Sequence, residues 1–252
     1  MHVLVTGASS GIGAAIAEEY LGRGASVTLV ARRRDRLEAI ASRASARSHV
    51  IAADLAEHAR IAGIIDEAEK AHGPIDILVN NAGVQILGRM HETPWEDVEN
   101  LMKVDVFAPL RMSMAVLPGM IARKRGTIVD IASMAALAPT PGMTFYNAAK
   151  AALGAASEGL RAEVAPHGVH VVTVYPGPVH SDMETAARSL FARSAIAARV
   201  PTGTPEVLAR LVALAVDRKR PRVIYPKVYG LSRLFPTVTR WAVDTFTPPL
   251  KQ

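Results

Sequence analysis

Cysteine is absent from the 252-residue chain, which excludes disulfides, thiolate metal sites and a thiol nucleophile. A reducing compartment suits such a chain, and a cytoplasmic location is expected. Aromatic residues are scarce, at 5%. None is interleaved with the basic clusters as a single-strand binding groove requires, so nucleic acid is not an expected partner. No uninterrupted apolar run reaches the length of a membrane-spanning helix. The opening MHVLVTGASSGIG carries no basic leader and breaks on glycines, so no signal peptide is expected. Linkers, repeats and low-complexity tracts are missing too, which leaves one domain.

Half of the residues are hydrophobic and 21% are charged, the profile of an aliphatic-rich globular enzyme. At this length a single core can still grow. The net charge of +6 gathers in short runs: Arg32, Arg33, Arg34 and Arg36; Arg123, Lys124 and Arg125; Arg218, Lys219, Arg220 and Arg222. The last two suit solvated helix ends. His167 and His170 bracket a loop at a spacing that is weak support for a metal, and none is expected.

Short β-branched runs stand at 2–6, 26–31, 49–53, 75–80, 127–132, 169–175 and 222–226. Helical stretches at 12–23, 34–45, 57–71, 96–122, 144–165 and 205–217 separate them. Strands alternating with helices predict an α/β fold: a single-domain, Rossmann-type, doubly wound parallel sheet of seven strands flanked by helices. The domain is expected over 1–226, with 227–252 as an aromatic, amphipathic tail. Ligands of such sheets bind at the carboxyl ends of the strands.

Directly after the first strand, TGASSGIG places Gly7, Gly11 and Gly13 before a helix. Glycines let the backbone turn tightly and approach a pyrophosphate, whose charge a helix N-terminus favours. A glycine-rich turn with a serine cap is the plainer alternative, but the strand–turn–helix context favours a dinucleotide. An acid at the end of the second strand would hold a ribose 2′-hydroxyl, and an arginine there would accommodate a 2′-phosphate. The sequence has Ala31 followed by Arg32 and Arg33. Basic residues at a helix start oppose its dipole, so a bound phosphate gives them a reason, and NADP(H) is expected over NAD(H).

In FYNAAK, Tyr146 precedes Lys150 by one helical turn, so phenol and ammonium share a face. Alone that spacing is common. With the other pieces, the chain resembles the short-chain dehydrogenase/reductase family over nearly its full length to about residue 226. The glycine motif matches Thr6, Gly7, Gly11 and Gly13, and the acid meeting adenine matches Asp54. The Asn-Asn-Ala-Gly motif stands as Asn80, Asn81, Ala82 and Gly83, the active-site serine as Ser133, and the Pro-Gly turn begins at Pro176. The resemblance implies cofactor contacts from Gly7, Ser9, Ser10, Gly11, Ile12 and Gly13, from Arg32, Arg33, Asp54 and Leu55, and from Asn81, Ala82 and Gly83. Tyr146, Lys150, Pro176, Gly177, Val179 and Ser181 complete that set.

The resemblance also implies a catalytic group of Ser133, Tyr146, Lys150 and Asp105. Tyr146 would be the acid or base, Ser133 would orient the substrate oxygen, and Lys150 would favour the tyrosinate and hold the ribose. An ammonium about 4 Å away at an effective dielectric of about 20 is worth about 4 kcal/mol, enough to bring a phenol toward neutrality. Asp105 departs from the family, which usually has Asn there, and an ionised acid cannot donate a hydrogen bond. Ser181 replaces a usual Thr and keeps the hydroxyl.

The loops 134–145 and 182–200 are apolar, and the second suits a lid carrying Met183, Leu190, Phe191 and Ile196. A small hydrophobic ketone, aldehyde or alcohol is the expected substrate. In the tail, Leu231, Leu234, Val238 and Trp241 have helical spacing, suited first to packing on their own subunit. Capping the pocket, an oligomer contact or a membrane surface are the alternatives. A homodimer or homotetramer is expected. Rival functions are a non-catalytic NADP(H) sensor, a 3-oxoacyl thioester reductase and a nucleotide-sugar epimerase or dehydratase. Intact Ser133, Tyr146 and Lys150 argue against the sensor, and the short length argues against the epimerase.

Overall fold

Seven strands form one parallel sheet in the order β3-β2-β1-β4-β5-β6-β7 in the computed structural model, which describes residues 1–189 and 201–247. They are β1 (His2–Thr6), β2 (Ser26–Ala31), β3 (Ser48–Ala52), β4 (Ile77–Asn80), β5 (Gly126–Ile131), β6 (Val169–Pro176) and β7 (Arg222–Tyr225). All five residues of β1 are buried, as expected of a central strand covered on both faces. Val3 and Val5 enter the core beneath α1 (Gly11–Gly22), α2 (Arg34–Ala41) and α8 (Pro205–Asp217). Leu4 enters the opposite core, under α3 (Ile61–His72), α5 (Ala108–Ala122) and α6 (Thr144–Val164). The chain leaves β1 toward β2 on one side and β4 lies on the other, so the loops after β1 and β4 part and open a crevice.

Most element ends lie within a residue or two of the sequence expectation, and four differences have a local cause. β3 begins one residue early because Ser48 already pairs with Val27. The second helix stops at Ala41 and tightens into a 3-10 run whose Ala44 is non-helical (φ −154°). The third starts at Ile61 after a 3-10 turn over His58–Arg60.

The fourth difference bears on the site. The single helix expected over 96–122 is α4 (Trp95–Met102), a π-helical turn (Lys103–Phe107) and α5. Pro109 has no N–H to give the Asp105 carbonyl four residues back, and its ring would crowd that carbonyl. The wider turn accommodates this, with the Ala108 N–H bonding the Lys103 carbonyl. Joined, the 28 residues Trp95–Ala122 are long and apolar enough to cross a membrane, which no uninterrupted run in the sequence suggested. Half of that apolar window is buried in the protein, with Met112, Val116 and Met120 in the sheet's core.

Beyond β6 lies α7 (Asp182–Ser189), and the tail forms α9 (Leu231–Leu234) and α10 (Pro236–Phe246). Of the expected lid residues, Met183 is on α7, and Leu190, Phe191 and Ile196 fall outside the described residues. The tail does not pack as expected: Leu231, Leu234, Val238 and Trp241 are all more than half exposed. Polar ties hold it instead. Arg233 Nη1 donates to Glu158 Oε1 at 2.7 Å, and Arg240 Nη1 donates to the Pro139 carbonyl at 2.8 Å.

Candidate active site

One cleft of about 1950 Å³ runs along the carboxyl ends of the strands, from the glycine loop to the tail helices. At one end, Gly7 (φ +64°) sits so close to its neighbours that a Cβ would come 2.8 Å from the Asn81 amide nitrogen and the Ala82 Cα. A Cβ on Gly13 would come 2.4 Å from the Gly7 carbonyl oxygen. Thr6 fixes this approach: its hydroxyl accepts from the Asn81 and Ala82 N–H groups at 2.9 and 3.0 Å. Asn81 in turn donates its amide to the Thr6 carbonyl at 2.9 Å. Asn80 points the other way, into a buried network with Asp130 and Ser113, and is structural.

Ser10 occupies the N-cap of α1 but makes no capping bond, and no acid stands in the first turn. Its hydroxyl accepts instead from Arg33 Nη2 at 2.8 Å, as does that of Ser9. The helix end therefore keeps its free amides and its positive field. Gly-loop amides, an uncompensated dipole and a guanidinium together make a cradle for phosphates. Arg32, Arg33, Ala31, Asp54 and Leu55 line the same end. Asp54 Oδ1 accepts from the Ala56 N–H at 2.9 Å, which fixes its loop. The sequence placed Arg32 first; it is Arg33 that bonds the loop. A dinucleotide fits these residues.

On α6 the positions Tyr146, Ala149, Lys150, Leu153 and Ser157 repeat at helical spacing and turn inward. Tyr146 and Lys150 are thereby both buried, and both line the cleft with Ser133. Lys150 Nζ lies 3.0 Å from Asp105 Oδ2 and 5.7 Å from the Tyr146 ring centre, and donates to the Ile131 carbonyl at 3.2 Å. The π turn brings Asp105 inward, where its Oδ1 accepts from the Val84 N–H at 2.7 Å. Gly83 covers the pair: a Cβ there would meet Asp105 Oδ2 at 2.9 Å and Lys150 Nζ at 3.2 Å.

Burial raises the Tyr146 phenol above its ordinary value; Lys150 opposes this, Asp105 adds to it, and a hydrogen bond with Ser133 lowers it. The sequence expectation took Lys150 to lower the phenol's pKa toward about 7. Burial and Asp105 reverse that direction. Burial works against the Lys150 ammonium, but Asp105 and Tyr146 beside it more than offset this and raise its pKa. The Ser133 hydroxyl accepts from the Ala135 N–H at 3.1 Å, which leaves its own hydrogen for another acceptor.

Pro176, Gly177, Val179 and Ser181 form the opposite lip of the cleft. Ser181 Oγ donates to the Val179 carbonyl and accepts from the Glu184 N–H, both at 3.1 Å, so it starts α7. A Cβ on Gly11 would stand 3.9 Å from the Ser181 Cβ, which places this lip over the glycine loop. Sequence reasoning missed the Arg33 tie, the π turn and the Glu158–Arg233 clamp. Only the π turn had a signal, in the Asp105-to-Pro109 spacing.

Residues 1–190 match the family model described as short chain dehydrogenase. A fatty acyl-CoA reductase of Mycobacterium tuberculosis is 39% identical over 180 residues, 69% of this chain and 61% of that protein. The chain thus spans less than two thirds of that relative. A 3-oxoacyl-(acyl-carrier-protein) reductase of Escherichia coli is 36% identical over 203 residues, 79% of this chain and 82% of that one. A solved short-chain dehydrogenase from Sphingobium yanoikuyae in complex with NADPH superposes with a TM-score of 0.82 at 29% identity, covering 100% of this chain and 97% of that one.

Proposed function

The chain belongs to the short-chain dehydrogenase family of NAD(P)-dependent oxidoreductases, and we propose that it is an NADP(H)-dependent enzyme that interconverts a hydrophobic ketone or aldehyde and its alcohol, with Tyr146 as acid and base. The observation that carries this is the convergence of Ser133, Tyr146 and the buried Lys150 on a cleft whose other end is a phosphate cradle.

Bound NADPH would supply the hydride for the carbonyl carbon. In that reading Ser133 donates its hydrogen to the carbonyl oxygen and holds it beside Tyr146. Tyr146, buried and kept protonated, passes its phenolic proton to that oxygen as charge develops. Lys150, charged through its pair with Asp105, then stabilises the tyrosinate left behind. In the reverse direction the same phenolate removes the alcohol proton.

The preference for NADP(H) is supported by Ala31 in place of an acid and by Arg32 and Arg33 at the same end of the cleft. The NADPH complex of the Sphingobium relative points the same way. Relatives named as a fatty acyl-CoA reductase and a 3-oxoacyl-(acyl-carrier-protein) reductase favour a second reading, in which the carbonyl belongs to an acyl thioester. The proposal includes a cytoplasmic enzyme, with which the absence of cysteine is compatible. It also includes a homodimer or homotetramer, for which Trp95, Phe107 and Met114 offer exposed apolar side chains.

Stopped-flow oxidation of NADPH against a panel of ketones and aldehydes tests the activity. Turnover by the wild type, lost in Tyr146→Phe while NADPH still binds, is expected. Full turnover in the Phe variant would overturn the role of the phenol.

A further inference from the structure

The tail helix α10 contributes no buried residue, although it closes one side of the cleft. Its residues sort by face. Val238, Thr239, Ala242, Val243 and Phe246 line the cleft, and none is charged. Arg240 and Asp244 pair with each other on another face, at 2.9 Å. Leu234 and Trp241 do not line the cleft and are exposed.

An apolar wall built into a cleft and left exposed, with Phe235 at 56%, Val238 at 58% and Phe246 at 47%, suits an apolar ligand. The polar ties of Arg233 and Arg240 hold it there without packing it against the core. Met134 and Met143, from the loop after β5, line the same cleft, as does Met183 of α7. Methionines suit a flexible apolar partner. The cleft volume of about 1950 Å³ is about twice the upper range of a single small-molecule site, about 1,000 Å³, so it has room for a second ligand beside the dinucleotide. The eleven residues of α10 extend for about 16 Å.

We propose that the space between α10 and the methionines is a binding site for a long unbranched alkyl chain, borne by the substrate whose carbonyl meets Tyr146. This rests on the carbonyl-reductase reading and assigns its substrate class: straight-chain carbonyl compounds of on the order of ten carbons, matched to the length of the helix. A charged headgroup lies outside this wall, since the cleft-lining face of α10 carries no charge. The chain is held by apolar burial alone.

The test uses the full-length protein with NADPH and straight-chain aldehydes of increasing length. In the wild type, kcat/KM is expected to rise by up to about fourfold per methylene and then level off near the length of α10. Val238→Asp and Val243→Asp, made separately, place a charge in the wall; Val238 is already exposed, so its fold is not at stake. Each is expected to lower the long-to-short aldehyde ratio of kcat/KM by about tenfold or more. Leu234→Ser, exposed and off the cleft, leaves that ratio unchanged.

A flat length series in an enzyme that reduces short aldehydes overturns the alkyl site while sparing the reductase reading. So does an unchanged ratio in both Asp variants, an equal loss in Leu234→Ser, or a marked preference for rigid polycyclic ketones. NADPH binding with no carbonyl reduced at any length overturns the reductase reading itself.

Discussion

Lys150 Nζ and Asp105 Oδ2 lie 3.0 Å apart with the two side chains 5% and 0% exposed, a buried ion pair beside the candidate acid. The carboxylate offsets part of the ammonium's field at Tyr146 and, with burial, keeps the phenol above its ordinary value. Alcohol oxidation needs the phenolate, so its rate is expected to rise with pH through that value. Asp105→Asn keeps the shape, removes the charge and should move this limb to lower pH without abolishing turnover. Superimposable pH profiles would show that Asp105 only holds the backbone. Asp105→Ala also leaves a buried cation unpaired and should cost about 3–5 kcal/mol in urea unfolding.

Gly83 is expected to tolerate no side chain. Its Cβ would enter the space of the Asp105 and Lys150 head groups, neither of which is the free end of an exposed side chain. Gly83→Ala should cost about 1–3 kcal/mol as overpacking. It should also lower kcat by displacing Lys150. Wild-type stability and turnover together would mean that the pair can shift without consequence.

Arg33 already donates to the Ser9 and Ser10 hydroxyls, so it is held at the loop before any phosphate arrives. Arg33→Ala should weaken NADPH binding about tenfold to a hundredfold, the worth of a charged hydrogen bond, and leave NADH binding nearly unchanged. Adding Ala31→Asp should bring NADH ahead. Isothermal titration with both nucleotides checks this, and equal wild-type affinities would remove the basis for the preference.

The strands were legible because each is a short β-branched run, the central ones buried on both faces, and Tyr146 and Lys150 because a helical period predicts their shared face. Asp105 was visible as a residue, but its inward turn depends on Pro109 widening one turn of a long helix. The direction of the Tyr146 shift needed burial, which no spacing reveals. The tail misled for a similar reason. Leu231, Leu234, Val238 and Trp241 have the periodicity of a packed face, but Arg233 and Arg240 find partners on the body and leave Leu231 and Val238 on the open cleft and Leu234 and Trp241 outside it. Sequence distance hides such partners: Arg240 and Pro139 are 101 residues apart.

Acid is expected to loosen the amino-terminal edge of the sheet through two histidines. His2 is held by the Gly73 carbonyl at its Nδ1 (2.7 Å) and the Thr28 hydroxyl at its Nε2 (2.9 Å), with the His72 ring 5.4 Å away. Burial lowers its pKa below 6.5; the Gly73 carbonyl, Asp76 and Glu69 oppose this, while His72 adds to it. Burial also lowers His72, helped by His49, which itself bonds Glu67 at 3.0 Å. Both groups bind protons more weakly in the folded chain than in the unfolded one. Their contribution to stability is therefore complete above 6.5 and is lost as pH falls through 6.5 toward the lowered folded values. The thermal midpoint should drop from about pH 7.5 to about pH 5.5, in the range where ordinary carboxylates stay ionised. His72→Asn removes one titrating ring, and with it the charge facing His2, so its midpoint should fall less over the same interval. Parallel curves for the two proteins would place the acid sensitivity elsewhere in the fold.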